Sequence, residues 1–250
     1  MRNQVLITLD SLRWDVFNRA YLPFMKSFPY AKAYTHGTYT LPAHESFFIG
    51  KLPTTFKGKF DTCARSHRVP EGTQQWRLNN PESPGPAVVQ LSGRNIVDGF
   101  NILGYKTLGT GAMEWFNHLK PAHIKAVDDF DEYYFNRTDA KGQVSWLNEY
   151  LNEESSQPYF IFANFGETHH PFSYDGRGGI DYGDKERCLN AQAEAAEFLD
   201  TEVKRLISGM RNTDIIICSD HGECLGEDGL WGHSFYHQKV IEVPILKIEV

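Results

Sequence analysis

Ser219-Asp220-His221-Gly222-Glu223 directly follows the apolar run Ile215-Ile216-Ile217-Cys218, which sets an Asp and a His side by side at the end of an expected buried strand. A carboxylate and an imidazole are good ligands for a divalent metal, and open α/β sheets place their ligands at such strand ends. Taken alone, the triplet fits a plain turn equally well. A second strand end adds a carboxylate. Val5-Leu6-Ile7-Thr8-Leu9 is too short for an amphipathic helix period and leads into Asp10, Ser11 and Arg13. Asp10 and Ser11 also suit the cap of a helix start. A third segment, Thr40-Leu41-Pro42-Ala43-His44-Glu45-Ser46-Phe47-Phe48-Ile49-Gly50, reads as a helix with Pro42 in its first turn and Gly50 as its stop. Thr40 then lies just before a helix N-terminus, where free amides and the helix dipole favour an anion. A threonine there is ordinarily a cap. It becomes a nucleophile when something lowers its hydroxyl pKa, and a metal held by Asp10, Asp220 and His221 would do so.

The elements that must position these residues alternate along the chain. Ile96 to Leu103 reads as a helix, Tyr105 to Gly109 and Phe130 to Tyr134 as strands, Val144 to Leu151 as a helix and Tyr159 to Phe165 as an apolar strand. Asp184 is placed to cap a long helix reaching about to Met210, with Leu189, Ala193, Ala196, Leu199, Val203, Leu206 and Met210 on one face at three-to-four spacing. That stripe is core packing. Ile215 to Ser219 and Val243 to Ile248 complete the strands. The alternation predicts a three-layer αβα fold around a mostly parallel central sheet, with helices on both sides. Pro81 to Pro86 is the clearest loop.

Composition narrows the class. The 250 residues, 41% hydrophobic and 14% aromatic, suit one α/β domain with a substantial core. A formal net charge of −7 argues against general nucleic-acid or anionic-membrane binding. The apolar stretches are strand-length, so no transmembrane helix is expected. Met1-Arg2-Asn3-Gln4 runs straight into a strand without a secretory signal, and the expected location is the cytoplasm, with Cys63, Cys188, Cys218 and Cys224 as free thiols. One segment opposes the acidic balance. Lys51, Lys57, Lys59, Arg65, Arg68 and Arg77 meet only Asp61 and Glu71 between Lys51 and Asn80. A solvated loop accounts for it. Alternatively, residues 51–90 form an insert that folds over the active site, with Arg65 and Arg68 holding an anionic substrate.

Motif by motif, the chain resembles the alkaline phosphatase superfamily, in its branch of sulfatases, phosphoethanolamine transferases and lipoteichoic acid synthases. Val5 to Asp10 resembles the opening strand and metal-binding acid, and Thr40-Leu41-Pro42-Ala43-His44 with Ile49-Gly50-Lys51-Leu52-Pro53 the nucleophile turn and helix. Gly104-Tyr105-Lys106-Thr107 resembles the helix-to-strand join, and Phe130-Asp131-Glu132-Tyr133-Tyr134 the stretch that follows. Thr168-His169-His170-Pro171-Phe172 resembles the His-x-Pro substrate loop, and Phe198-Leu199-Asp200 the long helix before the last metal strand. Ser219 to Gly232 (SDHGECLGEDGLWG) is close to the branch's most specific signature. The resemblance runs to the end of this chain, and the expected fold is the core alone, lacking the smaller C-terminal subdomain usual in sulfatases.

Three departures set the expected chemistry. Sulfatases carry Cys or Ser, matured to formylglycine, with Arg four residues on, whereas this chain has Thr40 and His44. Asp10 is followed by Ser11 rather than a second acid, and His233 stands where lysine is usual. All three lean toward the threonine-using phosphotransferases and phosphodiesterases. The resemblance then implies one divalent metal held by Asp10, Thr40, Asp220 and His221. Zinc or manganese suits these ligands best, with magnesium and calcium also open. A second metal, with help from Glu167, is left undecided, and His170 and His237 are expected to be ordinary loop residues. Thr40 is the expected nucleophile toward a small anionic phosphate ester. His169 and His233 hold the transferring group, and His233 protonates the leaving oxygen. His44, Arg65 and Arg68 are further candidates for substrate contact. A sulfate-ester hydrolase, a catalytically retired anion- or partner-binding relative, and a homo-oligomer stay open.

Overall fold

The computed structural model describes residues 1–50, 94–120, 123–152 and 156–250. The basic insert, with Arg65 and Arg68, lies outside the described residues. In chain order the main elements are β1 (Asn3–Leu9), α1 (Trp14–Arg19), β2 (Tyr30–Tyr34), α2 (Thr40–Ile49), α3 (Ile96–Ile102), β3 (Lys106–Gly111), β4 (Glu132–Phe135) and α4 (Ala140–Leu151). There follow β5 (Tyr159–Phe165), α5 (Lys185–Ile207), β6 (Thr213–Cys218), the short pair β7 (Cys224–Leu225) and β8 (Trp231–Gly232), α6 (Gln238–Ile241) and β9 (Glu242–Glu249).

Seven strands form one sheet in the order β2-β9-β6-β1-β5-β3-β4. The β-branched run of β1 lies between β5 and β6, parallel to both, with Ile7 level with Ala163 and Ile217. Burial on both faces explains why these strands read as nearly continuous apolar runs. One face packs Val5, Ile7 and Leu9 with Ile161, Ile215 and the buried stripe of α5. The other packs Phe160 and Phe162 against Leu41 and Phe48 of α2 and Val97 of α3. The three-layer arrangement is the one the alternation predicts.

Two strands depart from the expectation. β9 runs antiparallel to β6, and β2 antiparallel to β9. A parallel return needs a crossover that carries the chain back along the sheet, usually a helix. Here the chain leaves β6 through the β7–β8 pair and the four-residue α6, so β9 re-enters from the end that β6 left. β2 escapes sequence reading because Tyr30-Ala31-Lys32-Ala33-Tyr34 is almost wholly exposed at the sheet edge and so carries no burial pattern. Lys32 pairs there with Glu242 at 2.7 Å, a charged edge of the kind that discourages further strand pairing.

Other local signals hold. Asp184 caps α5, its side chain accepting from the Arg187 N–H, and Gly50 ends α2 in the left-handed conformation at φ 67°. Every residue of the predicted α5 stripe is buried, and Leu199 is fully so. Leu199→Ala is therefore expected to destabilise the fold by about 2–5 kcal/mol, read from the denaturant midpoint at unchanged slope.

Candidate active site

The C-terminal ends of β1, β5 and β6 and the N-terminus of α2 converge on one buried polar spot. Asp10 follows β1, Asp220 and His221 follow β6, and Thr40 opens α2. All four are buried, and Asp10, Asp220 and His221 are fully so. Neither plain capping reading describes them. The N-cap of α1 is Arg13, without a side-chain cap, and the N-cap of α2 is Tyr39, also without one. The Thr40 hydroxyl turns instead toward Asp10 Oδ2 at 3.4 Å.

The backbone shapes the acids. Ser11 takes the left-handed conformation at φ 61°, and its N–H donates to Asp220 Oδ1 at 3.0 Å. The His221 N–H reaches the same oxygen at 2.9 Å, and the Ser11 hydroxyl donates to Asp10 Oδ1 at 3.2 Å. The His221 ring is oriented by its Nδ1, which lies 2.9 Å from the Gly222 carbonyl. With the proton on Nδ1, the lone pair of Nε2 is free. His221 Nε2 and Asp220 Oδ2 are buried without a hydrogen-bond partner among the described residues. One ligand atom from each of Asp10, Asp220 and His221 lies within 4.8 Å of the others. Buried polar atoms lacking partners are rare in folded proteins. Two carboxylates, an oriented imidazole and these orphaned atoms fit a divalent cation.

Electrostatics supports the same reading. Burial, together with the neighbouring carboxylate, pushes Asp10 up from the ordinary 3.8 to about 6, and burial raises Asp220 to about 7. Burial drives His221 down to about 4, so the ring is neutral and able to ligate.

His169 and His233 complete one wall. The His233 ring lies 4.5 Å from His221 and 5.2 Å from His169, centroid to centroid. His169 Nδ1 is tied to the His170 carbonyl at 2.6 Å, which leaves Nε2 available. Burial and three neighbouring histidines hold His233 down to about 2, so this ring is neutral before an anion arrives.

Other expected residues fall elsewhere. His44, a candidate for substrate contact, is fully buried beneath the site, with Nε2 3.0 Å from Thr8 Oγ1 and Nδ1 2.8 Å from the Thr40 carbonyl. Phe47, Phe116 and Phe162 surround the ring edge-on, which keeps it out of the substrate space. Glu167 turns away and accepts from the Ala140 N–H at 2.7 Å, at the start of α4. His237 caps α6, accepting from the Lys239 N–H, and His170 stacks on Tyr182 at 3.8 Å.

Sequence reasoning missed the residues that lock the loops together. Gln192 of α5 donates through Nε2 to the Ser11 and Thr168 carbonyls, both at 2.9 Å, and so ties the turn after Asp10 to the loop of His169. Arg13, buried, pairs with Asp15 at 2.6 Å and Glu227 at 2.9 Å, which fastens that turn to the loop after β7. Gly222 leaves room for the Lys239 carbonyl, where any Cβ would collide. Asn164, a lone amide inside the apolar β5, is the one signal that would have found part of this framework.

Among the described residues no helix is long and apolar enough to cross a membrane. No curated protein matches the sequence. Solved structures share the fold at low identity. The C-terminal periplasmic domain of the phosphoethanolamine transferase EptC from Campylobacter jejuni superposes with a TM-score of 0.70 at 13% identity, over 99% of this chain and 78% of that one. The zinc complex of the corresponding domain from Escherichia coli gives 0.64 at 14% identity, over 99% and 72%. The lipoteichoic acid synthase LtaP from Listeria monocytogenes gives 0.61 at 14% identity, over 98% of this chain and 65% of that one. The sulfatase family model matches residues 2–247. With the metal-ligand cluster at the strand ends and the match running nearly end to end, the chain belongs to the sulfatase family.

Proposed function

We propose that the protein is a metal-dependent hydrolase or transferase of phosphate esters that works through a covalent adduct on Thr40. Family membership supports an enzyme acting on sulfate or phosphate esters. The observation that carries the finer reading is the Thr40 hydroxyl, which opens a helix without capping it and points at Asp10 beside Asp220 and His221. Threonine cannot mature to formylglycine, which disfavours ordinary sulfatase chemistry. A retired binding protein has no need to keep this whole set assembled in a dry pocket.

Asp10, Asp220 and His221 would hold the cation, with Thr40 beside them. A divalent ion bound there supplies the positive charge that lowers the hydroxyl pKa and offsets charge on the phosphoryl oxygens. Zinc or manganese fits the mixed oxygen and nitrogen donors. Thr40 Oγ1 attacks phosphorus in line and gives up its proton, for which Asp10 Oδ2 is the acceptor at hand. The Thr40 oxygen–phosphorus bond forms as the bond to the leaving oxygen breaks. The free amides and dipole of the first turn of α2 face the incoming negative charge. His169 and His233 line the other side. His233 is neutral in the free pocket; beside the substrate anion the ring takes up a proton from solvent, gives it to the leaving oxygen, and recovers one from the water or alcohol that releases the group. Water or an acceptor alcohol then releases the group, returning the proton to Thr40.

Wild type and Thr40→Ala, reconstituted with manganese or zinc, are to be compared on chromogenic phosphomonoester, phosphodiester and sulfate esters. Phosphate-ester turnover is expected in the wild type and is expected to fall about 10⁴-fold or more in Thr40→Ala. Full activity in the mutant, or turnover of sulfate esters alone, would sink this reading.

Metal uptake should also be tied to protons. Asp10 and Asp220 keep protons in the metal-free fold up to about pH 6 and about pH 7, because both pKa values are raised from 3.8. For acids shifted upward, folding takes up protons. Their contribution is present at low pH and is lost as pH rises through the folded-state values. Binding needs both acids ionised. Manganese affinity is therefore expected to climb between about pH 5 and about pH 8, with the metal raising Tm more at the higher pH. Calorimetry in buffers of different ionisation heat should detect proton release. Affinity that is flat with pH would contradict the proposed ligand set.

A further inference from the structure

Beneath the candidate metal site, three fully buried polar side chains lie where a core would ordinarily place apolar ones: Thr8 in β1, Asn164 in β5 and His44 in α2. Thr8 and Asn164 are level with each other across the parallel pair β1–β5. The hydrogen bonds between them fix every proton. Asn164 Oδ1 accepts from the Ala112 N–H at 3.3 Å, so its amide nitrogen faces the other way. That nitrogen donates to Thr8 Oγ1 at 3.0 Å and to Asp10 Oδ2 at 3.3 Å. The Thr40 carbonyl can only accept, so His44 carries a proton on Nδ1, which donates to it at 2.8 Å. With the ring neutral, Nε2 is then the acceptor, and the Thr8 hydroxyl donates to it at 3.0 Å. The Thr40 hydroxyl closes the circuit on Asp10 Oδ2 at 3.4 Å.

We infer that Asn164, Thr8 and His44 are positioning residues, a closed hydrogen-bonded ring that sets the nucleophile Thr40 at a fixed place relative to the metal-ligating Asp10. The inference rests on the proposed roles of Thr40 and Asp10. None of the three touches the substrate space, and each acts through the next. The ring spans two sheet strands and one helix, so it gauges the separation of β1 and α2, the elements that carry the acid and the hydroxyl. It occupies Asp10 Oδ2 and leaves Asp220 Oδ2 and His221 Nε2 unpartnered. The same pattern, in which groups behind the ligands orient them, tunes metal sites in general. A neutral His44 is required, because Nε2 accepts. The aromatic cage of Phe47, Phe116 and Phe162 provides that state by excluding water. An apolar trio would satisfy the packing without leaving polar groups to be paired, so stability alone does not call for this ring.

Thr8 is the member to change, since it contacts neither Thr40 nor Asp10 directly. Manganese affinity of the metal-free protein is to be measured by calorimetry for wild type, Thr8→Val and Thr8→Ser, alongside Tm and, on a chromogenic phosphodiester, kcat and KM. Thr8→Val, which keeps the shape and loses the hydroxyl, is expected to weaken manganese binding about 10–100-fold. It should lower kcat with little change in KM. Thr8→Ser, which restores the hydroxyl, is expected to recover both. A purely structural role would lower Tm and leave the affinity and kcat of the folded protein intact, and that result would overturn the inference. Should Thr8→Val not fold, Thr8→Ala carries the same test, because it too removes the hydroxyl and leaves no donor for His44 Nε2. An unchanged affinity in that variant is equally fatal. Imidazole ¹⁵N shifts, assigned by loss in His44→Asn, are expected to show the Nδ1–H form at neutral pH; the Nε2–H form breaks the ring. The affinity readout does not depend on turnover. Full activity in Thr40→Ala would remove the proposed nucleophile yet leave the effect of Thr8 on the metal to stand or fall by itself.

Discussion

Two carboxylates share one dry spot, and the rest of the molecule is arranged around that fact. Asp10 and Asp220 are both fully buried, and burial raises both pKa values. Like charges brought together out of water are unfavourable unless protons, hydrogen-bond donors or a cation offset them. The fold offers donors unevenly: Asp10 accepts from the Ser11 and Thr40 hydroxyls and the Asn164 amide, whereas Asp220 accepts two backbone N–H groups on a single oxygen. The opposite Asp220 oxygen has none among the described residues. The site is therefore built with a deficit of positive charge, and the surrounding elements hold that deficit in place.

Holding it requires strain and tight closure. Ser11 adopts a conformation that residues with a Cβ disfavour, which turns its N–H back onto Asp220. Its energetic support comes from the buried core below, where β1 sits between β5 and β6 and faces helices on both sides. The buried Arg13 bridges Asp15 and Glu227 behind the ligands. Removing both carboxylates would strand the buried Arg13 charge in the interior, which is far more damaging than loss of a surface pair.

Much of this was legible in the sequence, and the illegible parts share a cause. Asp10, Asp220 and His221 announce themselves because each ends an apolar run, and strand ends in parallel sheets converge. The α5 stripe and the Gly50 stop follow from helix geometry and left-handed backbone preference. β2 was invisible because an exposed edge strand has no inside to pattern. The reversed β9 depended on a connection that holds only the short β7–β8 pair and α6 and no helix long enough to carry the chain back along the sheet, not on the strand's own residues. His44 was misplaced because a histidine four residues after Thr40 can face either the pocket or the core. Only the tertiary position of Phe116 and Phe162 decides which. Thr8 and Asn164 were polar letters in apolar words, and their partners come from other strands and another helix. Glu167, two residues before His169, was drawn to the start of α4 by an N–H that no local spacing reveals.

Gln192 has a dynamic consequence. One amide group from α5 holds the backbone carbonyls of Ser11 and Thr168, and the Thr168 hydroxyl donates to the Asp10 carbonyl, so the turn after β1 and the loop after β5 are tied both to α5 and to each other. Neither can swing outward without stripping the same buried side chain of a bond. The two segments therefore open and close as one cooperative unit rather than as independent flaps. Their amides are therefore expected to exchange with solvent together, at a rate set by the opening of that shared unit.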